Sequence, residues 1–138
     1  MRAEVKDAAA AVRLLEGKRI CIVEDDPFQA AVVRLLLKRS EVEAVFFRSG
    51  LEALKWLQHE AVDVILVDVM LPDLDGWEVC AKIRGGGPNR TTPIIFTTCV
   101  IEREQEAVMS DPAARTLSLA KPLDRERLLG AMATVLQY

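Results

Sequence analysis

The chain sets down acids, hydroxyls and one ammonium at four places where an apolar run ends: Glu24-Asp25-Asp26, Asp68, Thr97-Thr98 and Lys121-Pro122. If those runs are strands of one parallel sheet, their carboxyl ends share an edge, and open α/β sheets place their sites along such edges. Three or four carboxylates meeting there repel one another, so the arrangement requires a cation. Oxygen donors suit Mg²⁺, which keeps several waters and binds one or two carboxylates together with phosphate oxygens. An aspartate in that setting can act as a nucleophile and form an aspartyl-phosphate. Phosphoryl transfer then needs little beyond positioning and charge neutralisation. The metal, a lysine and a hydroxyl could each contact a separate phosphoryl oxygen.

The elements that must position these residues follow from the hydrophobic period. Residues 19–24 (RICIVE) read as a strand covered on both faces. A helix is expected over 28–39, with Phe28, Val32, Leu35 and Leu36 among its apolar positions and Pro27 in its first turn, where a missing N–H is harmless. Residues 42–47 predict a second strand, and Ser49 the cap of a helix running to about Gln58. Asp63 to Val67 gives a third strand ending at Asp68. After a loop with Pro72 and Gly76, a helix from Trp77 to Arg84 stops at Gly85-Gly86-Gly87-Pro88. Residues 94–98 predict a fourth strand, 101–109 a polar helix, and Thr116 to Ala120 a weak fifth strand. A last helix from near Asp124 buries Leu128, Leu129, Met132, Val135 and Leu136. The pattern is (βα)₅, an α/β doubly wound parallel sheet with helices on both faces. Right-handed crossovers leave the flavodoxin-like strand order 2-1-3-4-5 as the commonest solution. Residues 18–138 make up this domain. Residues 1–17 form an extension in which Val5, Ala9, Val12 and Leu15 could line one side of a short helix, either docked or frayed.

Composition excludes several classes. Half the residues are hydrophobic (51%), enough for one core without metal or disulfide staples. A formal net charge of -3 argues against non-specific nucleic-acid binding, which needs a basic face. No apolar run approaches the roughly 18 residues of a membrane helix, and the first residues carry no signal-peptide core. The expected location is the cytoplasm. Cys21, Cys80 and Cys99 lie far apart, without metal-ligand spacing, and read as small buried residues in a reducing compartment.

The segments VEDDPF, VDVMLPDLDGWE, PIIFTTC and AKP resemble the motifs of response-regulator receiver domains, the chemotaxis-regulator type among them, over about residues 18–138. The resemblance implies a Mg²⁺-dependent signalling switch of two-component systems, a phosphoprotein rather than an enzyme with a separate substrate. It implies a histidine kinase or histidine phosphotransfer protein as donor and a downstream protein as target, with no direct nucleic-acid contact and no membrane insertion. By the same resemblance Asp68 is the phosphoacceptor and a metal ligand, Asp25 binds the metal directly, Glu24 binds it through water, and the Met70 backbone carbonyl completes the set. Thr98 matches the switch hydroxyl and Lys121 the phosphate-binding lysine, with a cis bond before Pro122. Met70 and Val100 occupy the two positions that flank the path of attacking water, and both are apolar, so slow self-dephosphorylation is expected.

The chain also departs from the family pattern. Ser118 stands where members often carry an inward-turning Tyr or Phe, Cys99 stands where Ala is usual, and the approach to strand five lacks Gly-Ala. These changes leave the chemistry intact and alter how it is signalled outward. Two other functions compete. A degenerate receiver used only for binding would not need the acidic pair, Asp68, Thr98 and Lys121 together. A metal-dependent aspartyl-phosphate hydrolase would place a second aspartate where Met70 stands. Asp73 and Asp75 are expected to shape the turn and cap the helix, with Gly76 relieving backbone strain. Trp56 and Trp77 should pack on helix faces, and His59, the only histidine, should lie inert in a loop.

Overall fold

In chain order the elements are α1 (Ala8–Leu15), β1 (Arg19–Val23), α2 (Pro27–Leu36), β2 (Glu43–Phe47), α3 (Gly50–Leu57), β3 (Val64–Asp68), α4 (Gly76–Arg84), β4 (Ile94–Thr98), β5 (Thr116–Ala120) and α5 (Arg125–Val135). The structure is a computed structural model that describes residues 8–138. The five strands form one sheet in the order β2-β1-β3-β4-β5, every pair parallel. This is the flavodoxin-like arrangement expected from the sequence. It puts β1 and β3 side by side at the centre and brings the ends of β1, β3, β4 and β5 to one edge.

Alternation along the strands divides the core. On one face Ile20, Ile22, Val64, Leu66 and Ile95 pack against Val33 and Leu37 and against Leu128, Leu129 and Met132 of α5. On the other, Cys21, Val23, Ile65, Val67, Ile94 and Phe96 pack against Ala53, Leu57, Val79 and Ile83 of α3 and α4. Both faces of β3 and β4 are buried along their whole length, as parallel central strands require. The extension is docked where it is described: Ala11 and Leu15 of α1 are 1% and 0% exposed within the first cluster. Val12 is half-buried beside them, Ala9 is exposed, and Val5 lies outside the described residues.

Three expectations need correction. The polar helix over 101–109 is instead one 3₁₀ turn, Arg103–Gln105, followed by irregular turns and a second 3₁₀ turn at Pro112–Ala114. Glu102 and Glu106 are like charges four residues apart, which disfavours an α-helix, and Glu102 to Glu106 offers no apolar stripe to bury. The segment lies against the outer edge of β5 instead: Ser110 Oγ accepts the Ser118 N–H at 2.9 Å, and the Ser118 hydroxyl donates to the Met109 carbonyl at 2.7 Å. Helix α2 ends at Leu36 and not near 39; its buried residue is Val33, joined by Leu37 at the C-cap, while the apolar Phe28 and Leu35 are 71% and 68% exposed. Phe28 and Leu35 sit seven apart on the solvent side, and the chain leaves the helix early through left-handed Arg39 and Glu41. Cys99 is exposed, not buried.

Candidate functional site

The site is built from strand ends. Val23 ends β1 and hands Glu24 and Asp25 to the sheet edge, while Asp26 at the cleft caps α2, accepting the Phe28 N–H at 2.9 Å. Asp68 is the last residue of β3, paired in register with Thr97 of β4. Lys121 follows β5, its N–H donating to the Thr98 carbonyl at 2.8 Å, and the Lys121–Pro122 bond is cis, as the motif led one to expect. One carboxylate oxygen from each of Glu24, Asp25 and Asp68 lies within 4.8 Å of the others. A cleft of about 430 Å³ opens on Asp25 and Asp68, with Glu24 buried behind them, and is lined also by Asp26, Gln29, Cys99, Lys121 and Pro122.

Lys121 Nζ bridges the cluster, donating to Glu24 Oε1 at 2.7 Å and to Asp68 Oδ2 at 2.9 Å. The three side chains are 12%, 5% and 11% exposed, so little solvent screens them. Burial pushes the Glu24 carboxyl up from its ordinary value, and the Lys121 ammonium offsets this only in part. Burial acts to lower Lys121, but the two carboxylates outweigh it and hold the ammonium above its ordinary value. Asp68 Oδ1 accepts the Met70 N–H at 2.9 Å, and Glu24 Oε2 accepts the Asp26 N–H at 3.3 Å. Three carboxylates against one ammonium leave two formal negative charges, which a divalent cation would balance. The donor set is all oxygen, as Mg²⁺ prefers.

Gly76 has a sharper reason than strain relief. Its φ is not positive, and a Cβ there would stand 2.9 Å from the Asp68 carbonyl oxygen and 2.9 Å from Val69 Cα. Helix α4 starts directly against the backbone that carries Asp68, and its N–H donates to the Val69 carbonyl at 2.8 Å. Asp75 caps α4 as expected. Asp73 does something different: it accepts from Ser49 Oγ and from the N–H groups of Gly50 and Leu51, so it ties the loop after Asp68 to the start of α3. Slight burial acts to raise its carboxyl, but these hydrogen bonds win and hold it at about 2.

Of the residues singled out in the sequence, Glu24, Asp25, Asp68 and Lys121 come together. Thr98 is buried at the edge, its Oγ1 accepting the Val100 N–H at 3.1 Å. Thr97 takes the opposite face of β4. Met70 and Val100 are 60% and 66% exposed beside the cleft. Trp77 packs on Phe96, ring centroids 4.2 Å apart, and Trp56 lies between Phe47 and Arg19. Sequence reasoning missed Gln29 and Cys99 as cleft residues. Gln29 had a signal, since Pro27 starts a helix and two residues further on is still its first turn.

A family model described as the response regulator receiver domain matches residues 20–133. In sequence the chain is 26% identical to the protein PilG of Pseudomonas aeruginosa over 121 residues, 85% of this chain and 86% of PilG. It is 32% identical to the response regulator ArlR of Staphylococcus saprophyticus over 119 residues, 86% of this chain and 52% of ArlR. It thus spans most of PilG and about half the length of ArlR. In structure it is similar to the receiver domain of the sensor histidine kinase PA1611 of Pseudomonas aeruginosa, which has a magnesium ion coordinated in its active-site cleft. The TM-score is 0.75 at 27% identity, over 88% of this chain and 99% of that one. Similarity to the chemotaxis response regulator CheY4 of Vibrio cholerae is close to this, with a TM-score of 0.73 at 27% identity, over 86% and 98% of the two chains.

Proposed function

The chain belongs to the response-regulator receiver family of two-component signalling, and from that premise we propose that Asp68 accepts a phosphoryl group from a phosphohistidine and so switches the affinity of the protein for a downstream target. The observation that carries the reading is the Lys121 bridge between Glu24 and Asp68, inside a cleft whose charge is left negative. An Asp68 oxygen forms the new O–P bond as the P–N bond of the donor histidine breaks, and the electron pair leaves on the imidazole nitrogen. Asp25 and Asp68 would hold Mg²⁺ directly, Glu24 through water, and the Met70 carbonyl would complete the set. When bound, the metal supplies positive charge to the phosphoryl oxygens. Lys121 is already aimed at Asp68 and neutralises a further oxygen by releasing its bond to the carboxylate. Thr98, whose Oγ1 accepts from the Val100 N–H and keeps its own proton, would donate that proton to the third, and the resulting shift at Thr98 would begin the outward signal. A histidine kinase or a histidine phosphotransfer protein is the proposed donor, with the cytoplasm as the place of reaction. No helix of the described residues is long and apolar enough to cross a bilayer.

The test is intact-mass spectrometry after incubation with Mg²⁺ and acetyl phosphate. The parent chain gains one phosphoryl group, and Asp68→Asn gains none. Full incorporation into Asp68→Asn would refute the assignment. Under the same reading Asp25→Asn weakens Mg²⁺ binding more than Glu24→Gln does, and equal losses in a titration would remove the distinction between direct and water-mediated ligands.

A further inference from the structure

Lys121 sits on a turn that two residues outside the cleft hold from both sides. The peptide before it is fixed by Glu106, whose Oε2 accepts the Ala120 N–H at 2.7 Å. Arg127, in the first turn of α5, donates from one guanidinium nitrogen to the Ala120 carbonyl at 3.1 Å and to the Pro122 carbonyl at 2.9 Å. Its other terminal nitrogen pairs with the same Glu106 Oε2. Glu106 and Arg127 therefore close a ring of hydrogen bonds around the backbone on either side of Lys121. Both side chains are largely buried, 23% and 17% exposed. Their hydrogen bonds go to the backbone around Lys121 and to each other, not to Asp68, Glu24 or Asp25.

We infer that Glu106 and Arg127 are positioning residues for Lys121, a role that rests on the phosphoryl-transfer reading above. A lysine side chain is a flexible four-carbon stem, whereas the guanidinium is a rigid planar fork. Fixing the stem at its base leaves fewer ways for Nζ to miss the phosphoryl oxygen. The alternative is that the pair only satisfies polar groups along the exposed edge of β5. Edge satisfaction, however, does not require one guanidinium to span both sides of a single residue, and Ser110 meets the Ser118 N–H of that edge separately. The pair also has a consequence for signalling. Glu106 lies on the segment that follows Thr98, so the connection that leaves the cleft at Thr98 returns to it through Glu106, Arg127 and the backbone of Lys121.

The experiment is a double-mutant cycle on the full chain, reading the rate of phosphoryl incorporation from acetyl phosphate with Mg²⁺. Misplacing a catalytic group by a fraction of an ångström is costly, so Arg127→Gln should slow the reaction about tenfold. If Arg127 acts through Lys121, the same substitution made in a Lys121→Met background should change the remaining rate by less than about twofold. An equal loss in both backgrounds, or no loss in the parent, overturns the inference and leaves the phosphoryl-transfer reading standing. Lys121→Met reacting as fast as the parent removes the lysine role itself, and the inference with it. Should Arg127→Gln fail to give a cooperative melt, Glu106→Gln runs through the same cycle, and the same rate comparisons support or overturn the inference. It keeps an acceptor for the Ala120 N–H while removing the ion pair.

Discussion

At the start of β3 a buried amide, Asn89, donates to the carbonyls of Leu57 and Glu60, both at 2.8 Å, and accepts from the Val62 N–H at 2.9 Å and from the Thr92 hydroxyl at 3.1 Å. The Thr92 hydroxyl shares that one proton with the Val62 carbonyl, 3.3 Å away. Every polar atom of the Asn89 side chain has a partner, most of them backbone, and the group carries no charge. At the other end of the same strand, Asp68 and Glu24 share the Lys121 ammonium, with the Asp25 carboxylate beside them. Both ends bury polar groups within a few residues of β3. The first closes its hydrogen bonds and ties the α3–β3 connection to the α4–β4 connection, whereas the second leaves negative charge over, which attracts a cation. Buried polarity alone thus does not mark a site, and uncompensated charge at a strand end does.

Substitutions should separate the two ends, beginning with the largest effect. Asp68→Asn abolishes phosphoryl incorporation, read by mass, while costing less stability than any disruption of the Asn89 network. Asn89→Ala strands several buried backbone groups, each worth about 1–3 kcal/mol when unpaired. Urea unfolding should therefore show a loss of about 3 kcal/mol, while the folded fraction still accepts phosphate at Asp68. If Asn89→Ala instead blocked phosphorylation without loss of stability, the division would fail. Gly76→Ala pushes a methyl against the backbone behind Asp68, so it should cost about 2 kcal/mol and slow phosphorylation, crossing the divide because α4 packs on the site itself. Asp73→Ala is the mildest, with a loss of about 1 kcal/mol, typical of a missing helix cap. Its pH dependence follows from a carboxyl lowered from 3.8 to about 2 in the folded protein. The gap to the parent should be full above 3.8 and narrow as pH falls toward about 2, because protonation removes the negative charge that strengthens these hydrogen bonds and turns one acceptor oxygen into a donor. A gap that stays constant through that window in urea titrations would contradict the hydrogen-bonding role.

The charged end is legible in the sequence and the neutral end is not. Glu24, Asp25, Asp68 and Lys121 each interrupt or follow an apolar run, and a charge there has no structural excuse. Asn89 follows Pro88 in what reads as a turn, and nothing local reveals that its amide reaches back to Leu57 and Val62. Such contacts are set by tertiary packing. The strands are legible for a related reason: burial on both faces forces continuous apolar runs, and β4 and β5 fall where the runs do. The connection between them departs from its helical pattern because its polar residues satisfy β5 instead of one another, with Glu106 on the Ala120 N–H and Ser110 on Ser118. Asp73 reads in sequence as a residue of its own turn and helix start, whereas it serves α3, a choice only the folded loop decides.

The most direct test of the central claim is transfer from a histidine donor. A radiolabelled, histidine-phosphorylated kinase or phosphotransfer protein is mixed with the chain and Mg²⁺, and the label on the chain is followed after hydroxylamine treatment. The account predicts label that is lost to hydroxylamine, as an acyl phosphate is, and that never appears on Asp68→Asn. Label that resists hydroxylamine, or that Asp68→Asn acquires as the parent does, would contradict it.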